Sequence, residues 1–366
     1  MNKERIEKLD QYHVIFLVQN IMIGIGLLSL PNEVSVLGYN SWLVPIILGI
    51  IANILLVPII ILCSKFPQDH FLKIVEKVWG KWLGKLIQLI ILLYGVIQVA
   101  TVSHTYLRLV QSVILPHFTL FVTSILLFIS LILIAQGGIV GIARFCIFSF
   151  FATIWMVFFL KWAFQTGDFV HLIPTFEVSW ADWGLGIHQG FQSYFGFGLI
   201  AFFYPNIINK RKALLHASIG IWITVATYTV IVIASVVYFS KWQLNNLLFP
   251  ILNLFQAVKL AFVERIEVFG TSLWVFLVLS TAAAYLWVAK KSLDSFISNH
   301  KNRTWHLYVV AFASWFLMNG PIPFPMQLLL FAEWSVFYGY ILLLLPILLL
   351  ITYYLRSMMK KRSGNQ

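Results

Sequence analysis

The sequence predicts an all-α integral membrane protein. Ten transmembrane helices form a single membrane domain over 1–366, arranged as a 5+5 inverted repeat in which helices 1 and 6 are broken. Three observations carry this. The 366-residue chain is 60% hydrophobic and only 10% charged, far below the ~25% charge of a soluble domain. Its apolar residues gather into ten stretches near the ~20 residues that a helix needs to cross hydrocarbon. The first and sixth of these share one helix-breaking pattern, Gly-x-Gly followed by a proline.

The stretches are 12–37, 41–64, 83–108, 118–136, 141–163, 187–208, 214–239, 267–289, 305–321 and 332–355. Lipid offers the main chain no water, so apolar runs of this length are helices, and the alternation of a membrane β-strand is absent. The charged start "MNKERIEKLDQYHV" passes into span 1 without a small-residue cleavage site, which predicts a retained first span and not a signal peptide. Twenty of the 25 lysines and arginines lie at the two termini and the even-numbered connections, with their flanking span ends. The positive-inside rule then places both termini in the cytoplasm. The net charge of +12 is spread between apolar runs and not along one face, so it does not describe a nucleic-acid surface.

Two connections have helical character of their own. "HFLKIVEKVWGKWLGK" (70–85) alternates apolar residues and lysines at helical spacing, which predicts a helix lying in the membrane interface. "FPILNLFQAVKLAF" (249–262) reads as a short helix capping the outer face. Trp42, Trp79, Trp82, Trp242 and Trp305 sit near span ends, as interfacial anchors do. Cys63 and Cys146 are too few for a disulfide framework and are assigned no chemistry.

The repeats run from about 12 to 163 and from about 187 to 355. "GIGLLSLP" (24–31) in span 1 then corresponds to "SYFGFGLIAFFYP" (193–205) in span 6. Five spans is an odd number, so the second set enters the membrane from the opposite side, and matched interruptions in such a repeat point to a midplane binding site. Two nearby glycines, each costing about 1 kcal/mol in a helix interior, let the chain unwind. Unwinding frees N–H groups at one half-helix and C=O groups at the other, and lipid tolerates these only beside a cavity or ligand. The N–H groups of Gly26, Leu27 and Leu28 suit a carboxylate. The carbonyls near Ile23 and Gly24, and near Tyr194 and Phe195, suit an ammonium. The glycines also admit the plain reading of close helix packing.

Walls for the site come from spans 3 and 8. Tyr94, Gln98, Thr101, Thr105 and Arg108 make one polar stripe on span 3, and Thr271, Trp274, Thr281 and Tyr285 share a face of span 8. The expected ligand-binding positions are Gly24, Ile25, Gly26, Leu27, Leu28, Gln98, Thr101, Tyr194, Phe195, Gly196, Gly198 and Thr281. Ser280 and Thr281 either join carbonyls of the break around a sodium ion or bond their own helix. Glu33, beyond the break, either orients a ligand, gates a vestibule, or is simply solvated. His104 and His188 lie near the outer boundary in structural surroundings. The chain shows no nucleophile–base arrangement, no metal-ligand spacing and no phosphate loop, so no enzyme activity, cofactor or metal is expected.

"GIGLLSLP", "SKFPQDHFLKIVEKVWGKWLGK" (64–85) and "FGFGLIAFFYP" (195–205) together resemble the endospore germination permeases, the B-type membrane subunits of spore nutrient-germinant receptors, within the amino acid–polyamine–organocation superfamily. The resemblance covers nearly the whole chain. It implies a leucine-transporter-type core, residence in the spore inner membrane, and assembly with A-type and C-type receptor subunits. It also implies that the chain binds a small germinant, often an amino acid. An ordinary amino acid permease working by alternating access needs the same pocket.

Overall fold

Asp10 starts the first helix. Its carboxylate accepts the His13 N–H at 2.9 Å while its own N–H reaches the His13 ring, closing a capping box. In the computed structural model, which describes residues 8–117, 119–175, 177–259, 265–298 and 302–363, the helix runs Gln11–Ile23. It stops at Gly24, whose φ of +41° is strained for any residue with a Cβ. A second helix, Gly26–Glu33, leaves at 54° to the first. Span 1 is broken where the Gly-x-Gly motif stands.

The remaining spans follow in the expected order. Span 2 enters through a 3-10 turn, Ser35–Leu43, and becomes α-helical over Val44–Lys65. Span 3 is one helix, Lys81–Val113, and span 4 is Leu120–Gln136. Span 5 runs Gly138–Thr153 and tightens to a 3-10 helix over Ile154–Leu160. Span 6 is α-helical over Trp180–Phe191, 3-10 over Gln192–Leu199, and α-helical again over Ile200–Phe203. Spans 7, 8 and 9 are Ala213–Tyr238, Ile266–Ser298 and Trp305–Asn319. Span 10 opens with Phe324–Leu328, widens into a π-helix at Leu329–Trp334, and continues over Ser335–Ser363. Among the described residues six helices are individually long and apolar enough to cross a membrane, and seven with the bent pair of span 1. Spans 4 and 9 are single helices of 17 and 15 residues, and span 6 is built of shorter pieces.

The two glycine motifs resolve differently. Span 1 opens at Gly24, whereas span 6 keeps winding and changes pitch. The physical reason lies in Gly196: a Cβ there would sit 2.5 Å from the Ile21 carbonyl oxygen, so span 6 is pressed against the last turn of Gln11–Ile23. A chain packed that closely has no room to leave its axis. The pair is also tied at one end, where Leu9 N–H donates to the Asn206 carbonyl at 2.8 Å and Ile208 N–H to the Leu9 carbonyl at 3.0 Å.

Within the expected interfacial tract, Phe71–Trp79 is a helix that buries Phe71, Ile74, Val75 and Val78 and leaves its lysines outward. Asp69 pairs with Lys73 at 3.1 Å and with Lys77. Burial alone would raise the Asp69 carboxyl, but hydrogen bonds from Lys77 and Lys73 outweigh it and hold the group below the ordinary aspartate value. This latch is at full strength above the unfolded value of about 3.9 and is lost as pH falls through the lower folded one. The outer helix is Pro250–Gln256, and the predicted continuation from residue 260 lies outside the described residues, as do Lys3, Arg5 and Lys301. Trp82, Trp242 and Trp305 are exposed, whereas the Trp79 indole N–H bonds the Thr352 hydroxyl at 3.0 Å. Cys63 and Cys146 are free and buried.

Span 7 approaches span 1 as closely as span 6 does, since a Cβ on Gly220 would lie 2.5 Å from the Ile15 carbonyl oxygen. Gly220→Ala is therefore expected to destabilise the purified protein by about 1–3 kcal/mol, read as a lowered thermal midpoint in detergent.

Candidate functional site

The break in span 1 strands main-chain groups on both sides, and side chains from neighbouring spans meet several of them. The Asn20 carbonyl accepts the Gly24 N–H at 3.2 Å and the Thr281 hydroxyl at 2.9 Å. The Gly24 carbonyl takes the Trp274 indole N–H at 3.0 Å. The Met22 carbonyl lies 2.9 Å from the Tyr228 hydroxyl, which is also 3.1 Å from the Ser193 carbonyl of span 6. A hydroxyl has one proton, so Tyr228 serves one of the two at a time. Below the break the Asn20 amide donates to the Cys146 carbonyl at 3.0 Å and to the Gln19 side chain at 2.6 Å, lacing span 1 to span 5. On the far side, the Leu28 N–H is taken by the Ile25 carbonyl at 3.1 Å, and Ile25 supplies no side-chain cap. The leading N–H groups of Gly26–Glu33 are the ones a helix start leaves open.

A cavity of about 240 Å³ meets the break. One water needs roughly 10–15 Å³ by such a measure, so the space takes a small organic molecule. Gly24, Ile25 and Gly26 form one wall, Gln98, Thr101 and Thr105 of span 3 another, and Ser193, Phe195 and Gly196 of span 6 a third. Thr281 and Tyr285 of span 8 and the π-helical part of span 10 complete it. The Gln98 amide donates to the Ser335 hydroxyl at 2.7 Å, joining spans 3 and 10 beside the cavity. The Thr101 hydroxyl oxygen is buried with no hydrogen-bond partner among the described residues.

Of the expected ligand positions, eight share this cavity: Gly24, Ile25, Gly26, Gln98, Thr101, Phe195, Gly196 and Thr281. Four do not line it. Leu27 faces a separate apolar gap of about 40 Å³ with Ile23, Leu277 and Trp274. Leu28 is fully buried in the core. Tyr194 turns its hydroxyl to the Pro45 carbonyl of span 2 at 2.9 Å. Gly198 packs on Leu343 of span 10. Of the stripe on span 3, Arg108 points away to His104 and Gln111, both at 3.4 Å. The Ser280 hydroxyl is 2.8 Å from the Leu277 carbonyl of its own helix and 3.3 Å from Asn20 Oδ1 of span 1, while Thr281 donates to the Asn20 carbonyl.

Sequence reasoning missed Ser29, Ser193 and the amide pair Gln19–Asn20. Two adjacent amides just before the break, in an otherwise apolar helix, were the available signal. Glu33 lines the cavity, with the Ser29 hydroxyl donating to it at 2.7 Å and the Ser193 hydroxyl at 3.4 Å.

Residues 8–320 match the family described as spore germination protein. Spore germination protein GerQB of Bacillus cereus is 26% identical over 287 residues, 78% of this chain and 79% of that one. Spore germination protein A2 of Bacillus subtilis (strain 168) is 23% identical over 293 residues, covering 78% and 80%. Among solved structures, that of MhsT in complex with L-phenylalanine superposes with a TM-score of 0.64 at 14% identity, over 95% of this chain and 99% of that one. The likeness to MhsT is one of fold, the leucine-transporter type.

The Tyr228 hydroxyl is the shared donor for two carbonyls, so Tyr228→Phe leaves both without it. The expected cost is about 1–3 kcal/mol, measured as a lowered thermal midpoint of the purified protein.

Proposed function

We propose that this chain, which belongs to the spore germination protein family, is the membrane subunit of a germinant receptor. It takes a small nutrient germinant, an amino acid, into the cavity at the span 1 break. The observation that carries this is the meeting of that cavity with stranded main-chain groups. The open N–H groups at the start of Gly26–Glu33, at a positive dipole end, suit a carboxylate, and the carbonyl end of Gln11–Ile23 suits an ammonium. The unpartnered Thr101 hydroxyl offers a further contact. That the fold neighbour MhsT was solved with L-phenylalanine supports an amino acid as the ligand class.

Binding becomes a signal when the ligand prefers one arrangement of the bundle, because it can shift an equilibrium only by its differential affinity. The Gln98–Ser335 bond and the π-helical segment of span 10 lie where a closing ligand would press. The receptor reading includes A-type and C-type partner subunits, residence in the spore inner membrane, and both termini in the cytoplasm, as the lysine and arginine distribution favours. Its role is to bind and relay, with no reaction catalysed.

A second reading, an amino acid permease rocking one repeat against the other, is favoured by the fold shared with MhsT. Uptake of labelled amino acid by liposomes holding this chain alone would support the permease, and binding without uptake the receptor.

A Cβ on Gly26 would lie 2.5 Å from the Ser193 hydroxyl oxygen at the edge of the cavity. Gly26→Val is expected to abolish the germinant response of spores while the protein still accumulates in the membrane fraction. An unaltered response removes the break from the mechanism.

A further inference from the structure

Glu33 is the one acidic side chain on the cavity wall, and no basic one lines it, among the described residues. It is also badly placed for its own helix. It closes Gly26–Glu33, where the negative end of the dipole disfavours an anion. Its side chain leans back toward the break, as side chains on a helix do, and Ser29, which bonds it at 2.7 Å, is also 3.3 Å from the Gly26 carbonyl. The two groups that bond it, Ser29 and Ser193, are hydroxyls: they donate hydrogen bonds but cancel no charge. A carboxylate has about four acceptor positions, so capacity remains. The nearest base along the cavity-lining stripe of span 3, Arg108, is turned to His104 and Gln111. An anion held inside a membrane bundle is costly unless a cation meets it.

A neutral zwitterion does not supply that cation. Its carboxylate matches the N–H end of one half-helix and its α-ammonium the carbonyl end of the other, and an ionised Glu33 is left without a counter-charge. We infer that the ligand of this cavity carries a second, cationic group, as an amino acid with a basic side chain does, and that Glu33 receives it. This rests on the reading of the cavity as an amino-acid site and narrows its substrate class.

The test uses ligand pairs that differ by one ammonium group. Binding of L-lysine against L-norleucine, and of L-ornithine against L-norvaline, is measured by calorimetry on the purified full chain in lipid nanodiscs. The basic member is expected to bind at least about tenfold tighter, and Glu33→Gln is expected to bring each ratio to within about twofold. Norleucine or norvaline binding as tightly as its basic partner overturns the inference and leaves the amino-acid site standing. A preference that survives Glu33→Gln overturns the assignment to Glu33. Failure of all four amino acids to bind the unaltered protein removes the amino-acid reading and this inference with it. A response to sodium or potassium chloride alone, lost in Glu33→Gln, assigns the carboxylate to an inorganic cation and overturns the inference. The comparison on the unaltered protein decides the matter even where Glu33→Gln does not fold.

Discussion

A helix interrupted inside a bilayer leaves amide and carbonyl groups that lipid cannot satisfy, and each one unpaired costs several kcal/mol. The architecture around span 1 answers this demand. Spans 7 and 8 send Tyr228, Trp274 and Thr281 to the carbonyls of the last turn, and span 5 receives the Asn20 amide. These bonds hold the end of Gln11–Ile23 in place. The start of Gly26–Glu33 has no matching set of side-chain caps, since Ile25 supplies none. The carbonyls of the break are thus tied to neighbouring spans, those of Met22 and Gly24 each keeping a second acceptor position, whereas on the amide side Ile25 gives no side-chain cap, and that asymmetry gives the cavity its character.

The second repeat echoes the first in motif but not in geometry. Span 6 passes its glycines as a 3-10 helix over Gln192–Leu199. A 3-10 helix rises about 2.0 Å per residue against about 1.5 Å for an α-helix, so eight residues gain roughly 4 Å of reach. Span 6 thus covers its path with few residues while staying against span 1 at Gly196. One helix opens to make room and the other stretches to wall it in.

Much of this was legible from residue types alone. Gly24 marked a backbone turn because its positive φ strains any side chain, and the polar stripe of span 3 marked an inward face because Gln98, Thr101 and Thr105 recur at helical spacing. The identity of the groups that cap the break was not legible. Trp274 could be placed on an inward face, but its bond to Gly24 depends on how spans 8 and 1 cross. Tyr194, expected at the site for its carbonyl, does not line the cavity although Ser193 and Phe195 on either side of it do, and its ring turns to Pro45; rotation about a 3-10 axis is not encoded in motif position. Leu28 misled because its amide is taken locally by Ile25. The serines around Glu33 come from spans 1 and 6, so their convergence belongs to tertiary packing.

The short main-chain lacing of Leu9 with Asn206 and Ile208 has a mechanical corollary. It rivets the foot of span 1 to the segment just beyond span 6 through backbone atoms, which no side-chain rotamer can release. If spans 1 and 6 separate while those bonds hold, they splay as the blades of shears do, with the fulcrum at the rivet and the greatest travel at the far tips.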